Sequence, residues 1–281
     1  MVAVRDLESA SDHYARLLGR DPSLRAASPS GTQNVMFRLA NTTLSLMSIG
    51  EPTGPVGGAI GSWLERRGDG LFALVFETDD VAGMAGVLRA RGLDARDPVD
   101  GDQQDPATGV SRRWRQIVLP PSSTRGTALV VNEDLTPAPG VPLAPLGVAE
   151  NEAVSGLDHV VVGTSDAEAA RRLYQEGLGL RLALDRRFDE RGIRILFFRV
   201  GGVTIELVAR LETTPSGDEP DRLQGLAFQV PDVPIVRERL LRQGFDVSEH
   251  RAGFKPGTRV CSVRSDTHGV ATLLIGPDTL A

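Results

Sequence analysis

Apolar and polar positions follow a pattern along the chain that predicts short strands and amphipathic helices. In the stretch LDHVVVGTSD, an apolar run leads into Asp166, after which apolar residues recur at helical spacing as far as Gly179. An aspartate before such a segment is typical of a helix N-terminus, and a glycine is typical of its end. Two apolar strands follow, RILFFRV and VTIELVA, and the two glycines between them favour a hairpin. We interpret the whole unit as a strand, a helix and three further strands, of which RILFFRV and VTIELVA are two.

The same unit occurs four times. Its helical segments run between an aspartate and a glycine, at 6–19, 80–92, 166–179 and 232–244, so that the separations are 13, 12, 13 and 12 residues. Both tyrosines, Tyr14 and Tyr174, lie eight residues after the aspartate of an odd-numbered unit. Self-similarity at a fixed spacing indicates repeated modules. We therefore predict an α+β fold of four βαβββ modules, arranged as two domains.

The sequence also predicts where these domains begin and end. We expect a first domain over 1–135, with modules 1–69 and 70–135, and a second over 156–281, with modules 156–218 and 219–281. Between them, TPAPGVPLAPLG contains four prolines, a composition that disfavours helix and sheet and suits an extended linker over 136–155. The glycine-rich stretch GPVGGAIGSW at 54–63 lacks the Lys and Ser/Thr of a phosphate loop, and we expect a flexible connection there.

Composition and charge exclude several classes of partner. A net charge of −6 argues against nucleic-acid and anionic-membrane partners, because both require a basic surface. The single cysteine, Cys261, fits a reducing compartment, and no apolar stretch approaches the length of a membrane span. We therefore expect a cytoplasmic protein that binds a small molecule, with neither a nucleic-acid nor a membrane partner, as a monomer or homodimer.

Four segments in register carry a resemblance to a known superfamily. They are Leu157-Asp158-His159 before the third helix, the run from Phe228 to Asp232, the strand GGVTIEL at 201–207, and WLERRG at 63–68. Together they resemble the vicinal oxygen chelate superfamily, which includes glyoxalase I, methylmalonyl-CoA epimerase, bleomycin-resistance proteins and extradiol dioxygenases. The resemblance implies that paired modules curl into a cup, so that the four modules form two tandem cup-shaped (glyoxalase-like) domains. It also implies that a His or Gln on a first strand and a Glu on a last strand hold a divalent metal there, such as Fe, Mn, Ni or Zn.

The repeat allows these ligand positions to be compared between modules. The first-strand position, seven residues before the helix aspartate, is His159 in the third module, Ala73 in the second, Gly225 in the fourth, and precedes Met1 in the first. The last-strand position is Glu206 in the third module and Ser45, Val130 and Leu273 in the other three. Two protein ligands are fewer than the three usual at catalytic zinc or non-haem iron. His250, after the fourth helix, is the candidate third ligand.

Three interpretations of this site remain open. In the first, the protein is a glyoxalase- or dioxygenase-type enzyme that acts on a small oxygenated compound in the C-terminal cup, with His159 and Glu206 as catalytic or metal-binding residues. In the second, it binds or sequesters a small molecule without metal. In the third, it is a degenerate paralogue with a structural or partner role, because fold alone does not decide function. Candidate ligand contacts are Arg199, Phe197 and Trp114.

The two remaining histidines are expected to lie outside any site. His13 falls beside the apolar face of the first helix, where we expect it on the solvent flank. His268 belongs to SDTHG, a sequence typical of a surface turn.

Overall fold

The computed structural model describes residues 1–28, 31–50, 55–136, 148–212 and 219–278. The helices are α1 (Leu7–Leu18), α2 (Pro55–Arg67), α3 (Val81–Ala90), α4 (Ala167–Arg171) and α5 (Val233–Arg242). Beyond α4 the chain continues as a wider π-helical turn over Arg172–Gly177. None of the helices in this part of the chain is long and apolar enough to cross a membrane.

Four of the five helices begin at the aspartates that the sequence singled out. The side chains of Asp6, Asp80, Asp166 and Asp232 each accept a hydrogen bond from the backbone N–H three residues further on. The glycines predicted to end these segments all adopt positive φ, between 61° and 88°. Capped N-termini and left-handed C-terminal glycines therefore set these helix bounds, as the repeat predicts.

The N-terminal sheet has nine strands and curls until its two ends meet. Its strands are β1 (Val2–Ala3), β2 (Leu24–Ala27), β3 (Thr32–Arg38), β4 (Thr43–Ile49), β5 (Gly70–Leu71), β6 (Ala73–Glu77), β7 (Val99–Gln104), β8 (Ser111–Leu119) and β9 (Ala128–Asp134), in the order β5-β1-β4-β3-β2-β7-β8-β9-β6. The end strands β5 and β6 are separated by a single residue, Phe72, whose N–H donates to the carbonyl of Met1 at 3.0 Å. The sheet therefore closes around a central space.

The C-terminal sheet has eight strands and joins its two modules through their first strands. Its strands are β10 (Gly156–Thr164), β11 (Arg181–Phe188), β12 (Ile193–Val200), β13 (Val203–Arg210), β14 (Arg222–Gln229), β15 (Arg251–Ala252), β16 (Thr258–Val263) and β17 (Ala271–Pro277), in the order β11-β12-β13-β10-β14-β17-β16-β15. Strands β10 and β14 pair antiparallel at its centre. Two curved sheets built from four modules confirm the predicted α+β fold class.

Helix α2 differs from the flexible connection expected at 54–63. Ile60 and Leu64 are buried on this helix, where they pack with Ala3 and Met47 on the face of the sheet turned away from the other helices. We call this side of each sheet its inner face. Pro is favoured in the first turn of a helix, and an apolar stripe with a surface to cover outweighs the low helix propensity of glycine. As a result, α2 fills the first-module half of the N-terminal cup.

The two domains share one continuous core. A single cluster of buried apolar side chains includes residues of both sheets and of α1, α3, α4 and α5, among them Tyr14 and Tyr174. Across the boundary, Arg239 of α5 donates to the carbonyls of Arg16 and Leu17 at the end of α1. The linker predicted over 136–155 includes residues 137–147, which lie outside the described residues, so this boundary stays a prediction.

Candidate functional site

The third module brings His159 and Glu206 together on the inner face of the C-terminal sheet. Strand β10 runs parallel to β13, with His159 opposite Thr204 and Val161 opposite Glu206. The alternate residues of β13, including Ile205 and Leu207, point into the shared core, so Thr204 and Glu206 face the cup. The imidazole Nδ1 lies 3.8 Å from a carboxylate oxygen of Glu206.

A bulge in β10 adds a second carboxylate to this pair. The pairing with β14 shifts register between Leu157 and His159, which leaves Asp158 outside the ladder. One Asp158 oxygen lies 2.9 Å from His159 Nδ1, and the other accepts a hydrogen bond from Gln229 at 3.3 Å. Asp158 and Glu206 therefore approach the same ring nitrogen. Asp158 was not among the residues that the sequence selected as site residues, although it lies in the motif that carried the resemblance.

The pKa values of the two carboxyl groups are shifted in opposite directions. Burial raises the pKa of Glu206 above its ordinary value, although the nearby imidazole of His159 partly offsets this and Asp158 adds to it. The hydrogen bond with His159 lowers the pKa of Asp158, opposed by burial and supported by Gln229 and by the charge of Lys255. Two neighbouring carboxyl groups with opposed pKa shifts can act as one proton donor and one fixed anion.

These residues do not fit a divalent metal held by three protein ligands. The positions in the fourth module that correspond to His159 and Glu206 are Gly225 and Leu273, neither of which has a ligating side chain. The strand registers support this correspondence, because Gly225 lies opposite Ala271 just as His159 lies opposite Thr204. Within the described ranges, no group of three or more His, Cys, Asp or Glu side chains could hold a metal ion. Instead, Ala227, Val260 and Ile275 form an apolar cluster with Leu273 in that half of the cup.

The proposed third ligand, His250, lies elsewhere. It precedes β15, which is four strands away from β10 in the order of the sheet. Its Nδ1 lies 2.9 Å from a guanidinium nitrogen of Arg259, which in turn pairs with Asp278. Among the described residues, His250 therefore does not complete a triad with His159 and Glu206. The sequence could not predict this, because spacing along the chain carries no information on which strand edge His250 joins.

The candidate ligand contacts are divided between the two domains. Phe197 lies directly opposite Glu206 and is half-buried, and Arg199 lies opposite Thr204 and donates to its hydroxyl at 2.8 Å. Both share the inner face with Glu206. Trp114 belongs to the N-terminal sheet, opposite Gly101, where it lines a cavity of about 360 Å³ on β7 and β8. Trp114 therefore lies in a different sheet from His159 and Glu206.

The two other histidines meet at the boundary between the domains. His13 Nδ1 lies 3.0 Å from His268 Nε2, and His268 Nδ1 lies 3.0 Å from a carboxylate oxygen of Asp69. His268 lies in a turn, as the sequence predicts, but its side chain is only 12% exposed and not on the surface. The side chain of His13 is 24% exposed and faces His268, not the solvent flank expected from the sequence. They are 255 residues apart in sequence, and local patterns contain no signal for such a contact.

The fold and the site define a protein with two tandem glyoxalase-like cups, and comparisons with known proteins identify the family. A family model described as "Glyoxalase-like domain" matches residues 1–142. A second, for the "Glyoxalase/Bleomycin resistance protein/Dioxygenase superfamily", matches residues 158–261. The chain therefore belongs to the glyoxalase/bleomycin resistance/dioxygenase superfamily, as the resemblance implied. A comparison with curated proteins found no match.

Among solved structures, a synthase shows the same fold along nearly the whole chain, and two epimerases align with less than half of it. A triple mutant of 4-hydroxymandelate synthase from Streptomyces coelicolor aligns over 99% of this chain and 91% of its own, with 20% identity and a TM-score of 0.67. Methylmalonyl-CoA epimerase from Mycobacterium tuberculosis aligns over 44% of this chain and 89% of its own, with 28% identity and a TM-score of 0.38. The epimerase from Streptomyces coelicolor, in complex with 2-nitronate-propionyl-CoA, covers 45% of this chain and 100% of its own, with 20% identity and a TM-score of 0.38.

Proposed function

We propose that the C-terminal cup binds a small oxygenated organic compound through hydrogen bonds with His159 and Glu206, without a metal held by three protein ligands. The observation that carries this proposal is that the carboxyl groups of Asp158 and Glu206 both approach Nδ1 of His159, on the inner face of a curved sheet. Buried polar groups require partners, and a ligand oxygen would provide one for Glu206.

The geometry supports complementary roles for the two side chains. In the neutral tautomer that donates its Nδ1–H to Asp158, the ring of His159 presents Nε2 as a hydrogen-bond acceptor. Burial favours the protonated form of Glu206 through its raised pKa, so that this side chain can donate to a ligand oxygen. A compound with neighbouring hydroxyl and carbonyl groups would satisfy both positions. Phe197 and Arg199 lie next to them and would contact the rest of the ligand.

A metal analysis of the purified protein tests the metal-free part of the proposal. We expect no stoichiometric Fe, Mn, Ni or Zn, and the same thermal stability before and after treatment with a chelator. A stoichiometric metal that is lost in His159→Ala would contradict the proposal. It would instead favour the metal-dependent enzyme that the resemblance implies.

A binding screen tests the site itself. Saturation-transfer NMR with small carbonyl and hydroxyl compounds should identify ligands that His159→Ala and Glu206→Ala each weaken by about tenfold, the effect of losing one hydrogen bond. His250→Ala is the matched control, because His250 pairs with Arg259 outside this cluster. If His250→Ala reduced binding as much as His159→Ala, the ligand would not be held where we propose.

The same arrangement favours a second function, the catalysis of proton transfer within the bound compound. The specific observation is that Asp158 fixes the ring of His159, as a carboxylate orients the base in many acid–base sites. For a ligand found in the screen, the exchange of a carbon-bound hydrogen in D2O should be accelerated by the wild type and not by Glu206→Gln. A ligand that binds and shows no exchange would leave binding as the function.

A further inference from the structure

Two arginines face each other on the inner face of the third module. Arg181 of β11 lies directly opposite Arg199 of β12, and Arg199 lies directly opposite Thr204 of β13. Residues opposite each other project from the same face of a sheet. The hydrogen bond between Arg199 and Thr204 is consistent with this arrangement. Both guanidinium groups are therefore on the side of the sheet that carries Glu206.

The same hairpin contains a second arginine pair that differs in its surroundings. Arg187 lies opposite Arg194 on the helix-facing side. Arg194 pairs with Asp185 at 2.6 Å and with Glu168 at 2.8 Å, and Arg187 pairs with Asp189 at 3.2 Å. Like charges directly opposite each other destabilise a sheet, and here three carboxylates neutralise them.

The inner pair has no such compensation. Both residues are exposed, and in the described part of the chain neither Arg181 nor Arg199 forms an ion pair with a carboxylate. The first module repeats the hydrogen bond between Arg199 and Thr204, as a bond from Arg38 to Thr43 at 3.0 Å. It does not repeat Arg181, because the residue at the same distance of fifteen positions after the helix aspartate is Asp21. The uncompensated double positive charge is therefore a property of the C-terminal cup and not of the module in general.

We infer that Arg181 and Arg199 receive the carboxylate of the bound compound, which makes the ligand of the C-terminal cup a small organic acid. This inference rests on the proposed function, because it assumes that the cup holds a ligand at His159 and Glu206. Guanidinium groups bind carboxylates through paired, charge-assisted hydrogen bonds. An anion between two arginines removes the repulsion that otherwise opposes their pairing.

The spacing on the sheet limits the size of the acid. Arg199 lies opposite Thr204, which is two residues before Glu206 on the same strand. The Cα atoms of Thr204 and Glu206 are therefore about 7 Å apart along the strand. A carboxylate on the arginines would therefore place an oxygen a few bonds away next to Glu206. Phe197, opposite Glu206, would contact the carbon skeleton between the two polar ends.

Pairs of probes that differ only in charge test this inference. We would titrate benzoate, salicylate and phenoxyacetate, together with their primary amides, against the wild type by NMR and calorimetry. The carboxylates should bind at least about tenfold more tightly than the amides, and Arg181→Gln and Arg199→Gln should each weaken the carboxylates about tenfold. Arg187→Gln is the matched control, since it removes one arginine from the outer face of the same strand and should leave affinity unchanged. Thermal unfolding of each variant verifies that it is folded.

The possible outcomes separate the inference from the function on which it rests. Amides that bind as tightly as the carboxylates, or an Arg199→Gln variant with wild-type affinity, would overturn the organic-acid inference. If that binding were still lost in His159→Ala, the proposed function would stand. Binding that is insensitive to His159→Ala, or an absence of binding by every probe, would contradict the function and the inference together.

Discussion

The two tyrosines show how one residue type at equivalent positions meets different surroundings. Tyr14 and Tyr174 occupy the same place in their modules, and both side chains are fully buried. Burial raises the pKa of both phenols far above the ordinary value. The hydroxyl of Tyr14 donates to the carbonyl of Thr267 at 3.1 Å, whereas the hydroxyl of Tyr174 has no hydrogen-bond partner in the described part of the protein.

This difference predicts unequal effects of one substitution. Tyr14→Phe should lower the free energy of unfolding by about 1 kcal/mol, because it leaves the Thr267 carbonyl without its donor. Tyr174→Phe should leave stability unchanged or raise it slightly, because it removes a buried polar group that has no partner. Urea denaturation of the two variants beside the wild type measures both effects. Equal losses would show that the surroundings of the two hydroxyls are alike.

At the scale of elements, α2 determines how much of the N-terminal cup stays open. Three glycines at 57, 58 and 61 lower its intrinsic helix propensity, yet its apolar stripe covers Met47 and Ile49. Gly58 and Gly61 differ in the space that is available for a side chain. A Cβ on Gly61 would lie 3.1 Å from the Ile49 side chain, whereas a Cβ on Gly58 would meet nothing within 4 Å.

We therefore predict that Gly58→Ala stabilises the protein and that Gly61→Ala does not. In an exposed helix interior, replacing glycine by alanine contributes about 1 kcal/mol. At Gly61 the close approach of Ile49 should cancel this gain. Thermal unfolding monitored by circular dichroism gives the comparison. A loss of stability in Gly58→Ala would contradict the helical assignment of 55–67.

At the scale of the whole molecule, two equivalent contacts hold the domains together. Asp69 and Asp221 each precede a helix aspartate by eleven residues, and each meets a side chain from a turn of the other domain. Asp69 pairs with His268, and Asp221 pairs with Arg125 at 3.1 Å. Among the described residues, the non-glycine residues with positive φ are Arg125, Asp266 and His268, all of which lie in these two turns. Within the described ranges, left-handed backbone at non-glycine residues therefore occurs at these junctions, where the contacts between the domains hold it in place.

The Arg125–Asp221 contact should make stability depend on pH when it is broken. The side chain of Asp221 is 0% exposed, so Arg125→Met would leave an unpaired buried carboxylate and cost about 3 kcal/mol at neutral pH. Burial already raises the pKa of Asp221. Protonation removes the unpaired charge, so the loss should shrink as the pH falls through the raised pKa of this group.

Urea denaturation at neutral and mildly acidic pH measures this difference. Arg187→Met is the control, because Arg187 is 63% exposed and its ion pair should contribute little at either pH. A cost for Arg125→Met that is as large in acid as at neutral pH would show that packing, and not the buried charge, accounts for it.

The sequence by itself determined the modules and the alignment between them. Asp caps and terminal glycines are local signals, and they located four helices and the four-module fold. Counting from them aligned His159 with Gly225 and Glu206 with Leu273, and the strand registers agree with this alignment. That His159 and Glu206 lie on neighbouring strands was implied by the family resemblance. These features were predictable because hydrogen bonds within a few residues and the alternation of a strand fix them.

Only the tertiary structure decided which distant groups meet. It placed His13 against His268, separated His250 from His159, packed α2 into the N-terminal cup, and set Arg181 opposite Arg199. Each of these features depends on how strands and helices pack or pair in three dimensions, and periodicity along the chain does not contain that information. The repeat therefore identifies the scaffold, whereas packing and register decide the charges that line the C-terminal cup.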